Sequence, residues 1–411
     1  MHRAPRMNAS PALANPTLEL RTRRARSLME WFAERTGVRA AQPSRRYLWT
    51  DAFAVCTFLS LAEATGDERS AELAARLVTA VHTTLGKHRP DDWRAGWLSG
   101  LSDRGASTHP TWGGLRIGKP LPERKWDDVL DEQLEWERDG QYFHYLTRWM
   151  HALDQLARRT RQPRFNLWAR ELAAVAFAAF SVQPGRGEPR RLVWKMSIDL
   201  SRPLVESMGQ HDALDGLVTC VQLQSTAAAL HVSVEGPSLA EERHGFETMT
   251  AGATWATTDP LGLGELLTDA WRIAQLQAEG ARFDGELMTR VLSAALEGLA
   301  HLAQQGGLSR PAGSRLAFRE LGLSTGLHAL ERLTAFGARR ARGPWARSSS
   351  EEAGLLEALR PAVVLGPEID AFWLEPRNQL ASGWAEHEEL NAVALATSLC
   401  PQGYLDLPPV T

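Results

Sequence analysis

Six stretches of this sequence are apolar nearly all round when read at helical period, and each opens on a polar, aromatic cluster. They begin near Tyr47, Gln141, Gly209, Gly262, Leu316 and Trp384. A helix without a polar face has to be wrapped by other helices. Between these stretches run charged, amphipathic helices with one dry face, at 18–37, 68–86, 164–180 and 285–304. Alternating strand patterns are scarce. The expected class is therefore all-α. Six buried helices interleaved with about six outer ones give an (α/α)6 barrel. The starts fall 53 to 94 residues apart, whereas a solenoid would keep a fixed period.

Residues 18–411 are expected to form one barrel domain, preceded by a flexible segment 1–17. With 44% hydrophobic residues the chain has ample material for a core. A net charge of −3 excludes broad electrostatic binding to nucleic acid or an anionic membrane. Cys56, Cys220 and Cys400 are far apart and set among apolar neighbours, which fits buried thiols in a reducing compartment. The first residues lack an apolar signal core, and no run of 18 apolar residues exists. These features predict a cytoplasmic protein. One insertion breaks the pattern: residues 88–140 are Gly- and Pro-rich and hold Trp93, Trp97, Trp112, Trp126 and Trp136. A loop this long and aromatic is expected to fold over the barrel mouth.

Three nominal motifs fail on inspection. Gly113–Lys119 matches a phosphate-binding loop until Pro120, which has no hydroxyl for magnesium. Arg116 and Lys119 in it remain candidates for an anionic substrate group. Gly322–Gly326 reads G-L-S-T-G but sits in a helical pattern instead of a strand-to-helix turn. Glu386–Asn391 is half of a zincin motif, with Asn391 where the second His belongs. No metal and no cofactor is expected.

The polar openings of the six stretches carry the candidate chemistry, because helices packed side by side in a ring would gather them at one mouth. Asp51 lies between Trp49 and Phe53, an apolar setting that raises a carboxyl pKa and suits a general acid. Asp139 precedes Tyr142, His144 and Tyr145. His211 and Asp215 are four apart, the spacing of a base and its orienting carboxylate. Lys195 and Asp199 lie just upstream. In W-A-E-H-E-E-L-N, Trp384 stands beside Glu386, His387, Glu388 and Glu389. The acid pair Glu265 and Asp269, with Arg319 and Glu320, completes the ring, and these four suit internal salt bridges more than catalysis. The expected catalytic set is Asp51, Asp139, Asp199, His211, Asp215, Glu386, His387 and Glu388. The expected substrate-binding set is Trp49, Trp112, Arg116, Lys119, Tyr142, His144, Lys195, Arg319 and Trp384. Carboxylates among aromatic faces suit a small carbohydrate.

The architecture resembles the six-hairpin glycosidase superfamily. W-T-D-A-F is similar to the aromatic–Asp–Ala segment of unsaturated glucuronyl hydrolases, which implies Asp51 as an acid. G-Q-H-D-A-L-D is similar to the Gly-His-x-x-Glu stretch of N-acylglucosamine 2-epimerases, which implies His211 and His387 as two bases exchanging a proton beside a sugar carbonyl. G-G-L-R-I-G-K-P followed by D-G-Q-Y-F-H-Y-L is a signature of its own and implies a distinct branch. The expectation is a glycoside hydrolase using paired carboxylates. A sugar epimerase or isomerase, and a non-catalytic sugar- or protein-binding barrel, are the alternatives.

Overall fold

Every residue from Leu48 to Leu61 is buried, so the Leu48–Thr65 helix offers no face to solvent. The same holds for Leu146 to Arg158 within the Phe143–Thr160 helix and for Asn391 to Leu399 within Glu388–Leu399. What covers them follows from the packing. In the computed structural model, which describes residues 17–39, 45–183, 185, 188–207, 209–341 and 350–410, the chain is mostly helical. Among the described residues, Leu48–Thr65 packs on Phe143–Thr160, which packs on Asp212–Ala229. The series continues through Pro260–Ala278 and Ala317–Ala341 to Glu388–Leu399, which returns to Leu48–Thr65.

A second set of helices lies outside this cycle. Glu68–Leu85 packs on Leu48–Thr65, Pro163–Phe180 on Phe143–Thr160, and Ala240–Thr250 on Asp212–Ala229. Leu287–Gln305, Leu365–Leu374 and Leu18–Arg35 do the same for the remaining three. These outer helices alternate buried and exposed positions, as in Leu287–Gln305, where Leu287, Met288, Val291, Leu292 and Ala295 form the dry face. The segment expected to be flexible, 1–17, lies outside the described residues except for Thr17. That residue caps Leu18–Arg35, accepting the Leu20 N–H at 3.4 Å.

The G-L-S-T-G stretch falls inside the Ala317–Ala341 helix. Its glycines serve packing: a Cβ on Gly326 would lie 2.4 Å from the Gly264 carbonyl oxygen, and one on Gly264 would lie 2.2 Å from that of Gly322. Only hydrogen fits where the Pro260–Ala278 and Ala317–Ala341 backbones touch. Ser324 is fully buried and donates to Asp370 at 2.7 Å.

At the C-terminal ends of the inner helices, the short turn Gln402–Leu405 fills the space they enclose. The Tyr404 carbonyl accepts from His151 at 2.8 Å, its ring stacks on Phe53, and the Gly403 N–H donates to Ser60. Cys56, Cys220 and Cys400 are free and buried. No helix among the described residues is long and apolar enough to cross a membrane.

At the opposite end a small antiparallel sheet joins Gln141–Tyr142, Lys195–Met196 and Pro203–Val205, with Gln141 opposite Met196 and Tyr142 opposite Lys195. It fixes the entry of the Phe143–Thr160 helix. The insertion 88–140 carries the short helices Asp103–Thr108 and Glu132–Glu135. Trp97 is buried, whereas Trp93 and Trp126 are exposed.

Candidate functional site

The N-terminal ends of the six inner helices converge on one cavity of about 880 Å³. Its wall includes Tyr47 to Asp51 except Leu48, then Tyr142, His144 and Tyr145, and Gly209 to Asp212. Thr257 to Glu265, Phe318 with Arg319, and Ala385 to Leu390 contribute further positions. The insertion adds Gly118, Lys119, Pro120, Trp136 and Glu137.

Asp51 is 2% exposed. Its Oδ2 accepts the Tyr47 N–H at 3.1 Å, tying down the start of its own helix, and its Oδ1 meets Arg46 Nη1 at 3.3 Å. Burial pushes its pKa up to about 6, with Arg46 opposing. Asp212 opens the Asp212–Ala229 helix and accepts the Gly209 N–H on Oδ2 at 3.2 Å. Burial first, then the charges of Glu265 and Asp215, push it up to about 7. Beside it, His211 shares Nε2 with the Trp255 carbonyl oxygen at 2.9 Å. A carbonyl only accepts, so Nε2 carries the hydrogen. In the neutral ring Nδ1 is then the lone-pair nitrogen, and it has no hydrogen-bond partner among the described residues.

An aromatic wall faces these groups. His144 stacks on Trp194 with an interplanar angle of 16° and on Tyr142 at 5.4 Å. Trp136 meets Trp194 edge-on at 4.8 Å, and the Tyr47 and Tyr145 hydroxyls share a hydrogen at 2.5 Å. Trp194 Nε1 lies 3.1 Å from His144 Nδ1. Indole N–H can only donate, so Nδ1 accepts and Nε2 carries the hydrogen. Burial lowers the His144 pKa to about 3, which keeps the ring neutral.

Charged pairs complete the lining. Arg35 reaches Glu388 at 3.5 Å and Glu389 at 3.2 Å. Arg319 pairs with Asp259 at 2.6 Å, Lys119 approaches Glu137 at 3.9 Å, and His387 meets Phe318 edge-on. Beneath the floor, Arg148 joins Glu265 at 3.2 Å to Asp215 at 3.1 Å, and Arg272 joins Asp215 to Asp269. Burial and the Asp215 charge raise Asp269 to about 7, whereas Arg148 and Arg272 outweigh burial at Asp215 and hold it below the usual range.

Of the expected catalytic residues, the structure brings Asp51, His211, Glu386, His387 and Glu388 into the cavity wall. Of the expected binding residues it brings Trp49, Lys119, Tyr142, His144 and Arg319. The others lie elsewhere. Asp139 is fully buried and accepts from Arg116 at 2.6 Å, Arg89 at 3.3 Å, and the N–H groups of Gly118, Lys119 and Gly140. Arg116 is thereby committed to Asp139 and to the Thr84 and Lys87 carbonyls. Lys195 donates to Glu135 and Arg138, and Asp199 accepts from Ser197, Ser201 and Arg94. Trp384 stacks on Trp373, and Trp112 is half exposed against His109. Asp215 lies in the ionic layer below the floor.

No family profile matches the chain, and no curated protein matches it. Asp212, Asp259 and Trp194 line the cavity without having been singled out from sequence. Asp212 is adjacent to His211 at the first position of its helix, whereas Asp51 is at the fourth position of its own. Asp215 is also at a fourth position, so depth below the helix start does not separate it from Asp51; the buried Arg148 and Arg272 that claim it do. Among the described residues, no cluster of His, Cys, Asp and Glu is arranged to hold a metal ion.

Proposed function

We propose that the closed cycle of inner helices with its outer set is an (α/α)6 barrel of the six-hairpin kind, and that the cavity at its mouth is the active site of a glycoside hydrolase acting on a small oligosaccharide. The observation that carries this reading is the pairing of two buried carboxyls, at about 6 and about 7, with a stacked aromatic wall in one cavity. Asp212 retains its proton near neutrality and gives it to the glycosidic oxygen as the bond to the anomeric carbon breaks. Asp51, ionised at pH 7, takes a proton from the attacking water as its oxygen bonds to that carbon. The Trp194 and Trp136 rings offer faces for the apolar side of the sugar.

The test is turnover of a panel of oligosaccharides by the intact protein, with the anomer released followed by NMR. Asp212→Asn and Asp51→Asn are each expected to lower kcat by about 10²–10⁴-fold while the circular dichroism spectrum stays unchanged. Undiminished turnover in Asp212→Asn removes the assignment, and a panel without any substrate removes the hydrolase reading.

His211 supports a second reading, a sugar epimerase or isomerase. Its Nδ1 lone pair is available in the cavity that His387 also lines. Solvent deuterium entering C2 of an aldose or ketose would favour it, and loss of that exchange in His211→Gln would assign the base.

A further inference from the structure

The charges in this cavity are unequal. Among the described residues, eight carboxyl side chains and five cationic ones line it. Four of the cations are already matched: Arg35 to Glu388 and Glu389, Arg46 to Asp51, Lys119 to Glu137, and Arg319 to Asp259. The fifth, Arg45, stands exposed at the rim. Arg319 keeps a buried Nε–H unpartnered, but its charge is balanced by Asp259 at 2.6 Å. Arg45 aside, every cation of the lining has an acidic partner within 4 Å.

On the acidic side, groups do remain open. Glu386 has no ion-pair partner among the described residues. Asp212, 6% exposed, has one oxygen engaged by the Gly209 N–H and the other without a hydrogen-bond partner among them. The neighbouring His211 Nδ1 is an open acceptor. The same cavity is lined by Trp194, stacked on the His144 imidazole, which is kept uncharged by burial and by the Trp194 N–H on Nδ1. A ring face is negative and attracts cations, most strongly where water is excluded. An unpaired carboxylate, open acceptors and an indole face around one space share a single complement.

We infer that the cavity takes a ligand bearing a positively charged amine, an amino sugar with a free ammonium group, and excludes uronic acids and sugar phosphates. This rests on the carbohydrate reading of the same cavity and narrows its substrate class. The ammonium sits between Glu386 and the Trp194 face, the proton-bearing Asp212 and the His211 Nδ1 are hydrogen-bonding groups of the same cavity, and the neutral ring atoms lie along the aromatic faces.

Two ligand series of matched shape and different charge test it, by calorimetry on the full chain at pH 7. The first is the chitosan disaccharide, cellobiose and cellobiuronic acid. The second is choline, 3,3-dimethylbutanol and 3,3-dimethylbutyrate. The amine is expected to bind about ten-fold or more tightly than its neutral counterpart, a difference of about 1.4 kcal/mol, with no binding by the acid. That margin should shrink as salt rises and fall toward unity in Glu386→Gln. Equal binding of amine and neutral sugar, or tighter binding of the acid, overturns the inference and leaves the carbohydrate reading standing. Choline binding with no sugar binding upholds the preference for a cation and removes the carbohydrate reading. Failure of every ligand in both series overturns the two together.

Discussion

Replacing Asp139 by alanine tests whether the insertion is held against the helices by one buried carboxylate. The side chain is fully buried, and its two oxygens serve Arg116 at 2.6 Å, Arg89 at 3.3 Å, and the N–H groups of Gly118, Lys119 and Gly140. Removing it strands a guanidinium, Arg116, that is itself 5% exposed. Breaking a buried ion pair from one side costs about 3–5 kcal/mol. Unfolding entropy near 60 °C is about 2.1 cal/mol/K per residue. For 411 residues that amounts to roughly 0.9 kcal/mol/K. A two-state melt should therefore fall by about 3–6 °C. Asp139→Asn keeps an acceptor for the backbone N–H groups and loses only the charge, so about half that loss is expected. Calorimetric melting of both variants against wild type is the assay. Adding Arg116→Met to Asp139→Ala should recover part of the loss, since the stranded charge is gone. A melt of Asp139→Ala within about 1 °C of wild type would refute the anchoring role. Because Gly118 carries φ +91° and a Cβ there would lie 2.1 Å from the Arg46 carbonyl oxygen, the same anchor sets the height of Lys119 at the cavity rim.

Further expectations concern the buried groups. Asp212 binds its proton more tightly when folded, at about 7 against 3.8, so its ionisation costs stability progressively as pH rises through that window and fully above it. Asp212→Asn should raise stability at pH 8 by on the order of 1–4 kcal/mol and leave it unchanged below pH 3.8, as read from denaturant melts across pH. Trp194→Phe removes the donor that fixes His144, and ¹⁵N shifts should then show the Nδ1–H tautomer appearing; an unchanged spectrum counts against the assignment. Asp370 binds Ser324, Ser398, His328 and Arg21 at 2.5–3.0 Å in the core. Asp370→Ala should cost about 3–5 kcal/mol and speed hydrogen exchange first in Leu18–Arg35, the helix that Arg21 fastens.

What the sequence made legible followed from periodicity. A helix buried on all sides is recorded in its own residues, as Leu48–Leu61 shows, and so is the polar character of its first turn. That was enough to predict that Asp51, His211 and the Glu386–Glu388 turn share one cavity wall. What stayed hidden depended on partners far along the chain. Asp139 looks like an acid at a helix start until Arg116, 23 residues earlier, is seen to claim it. Lys195 looks like a binding residue until Glu135 and Arg138 surround it. Asp215 and Asp212 differ by less than one helical turn, yet Arg148 and Arg272 draw the first into the ionic layer below the floor. Ser324 kept its nominal motif only on paper, because Gly264 on another helix decides why glycines flank it.

The return of Glu388–Leu399 and Gln402–Leu405 onto Leu48–Thr65 has a consequence for synthesis. Ser60 waits 343 residues for the Gly403 N–H that it accepts, and Thr57 waits 340 for Thr397. At about 5–20 residues per second, that is roughly 20–70 s during which one of the most apolar helices of the chain is uncovered on two sides. A ribosome carrying this nascent chain therefore displays a sticky surface for most of translation, and holding it from aggregation is a task for the cell that the finished protein no longer poses.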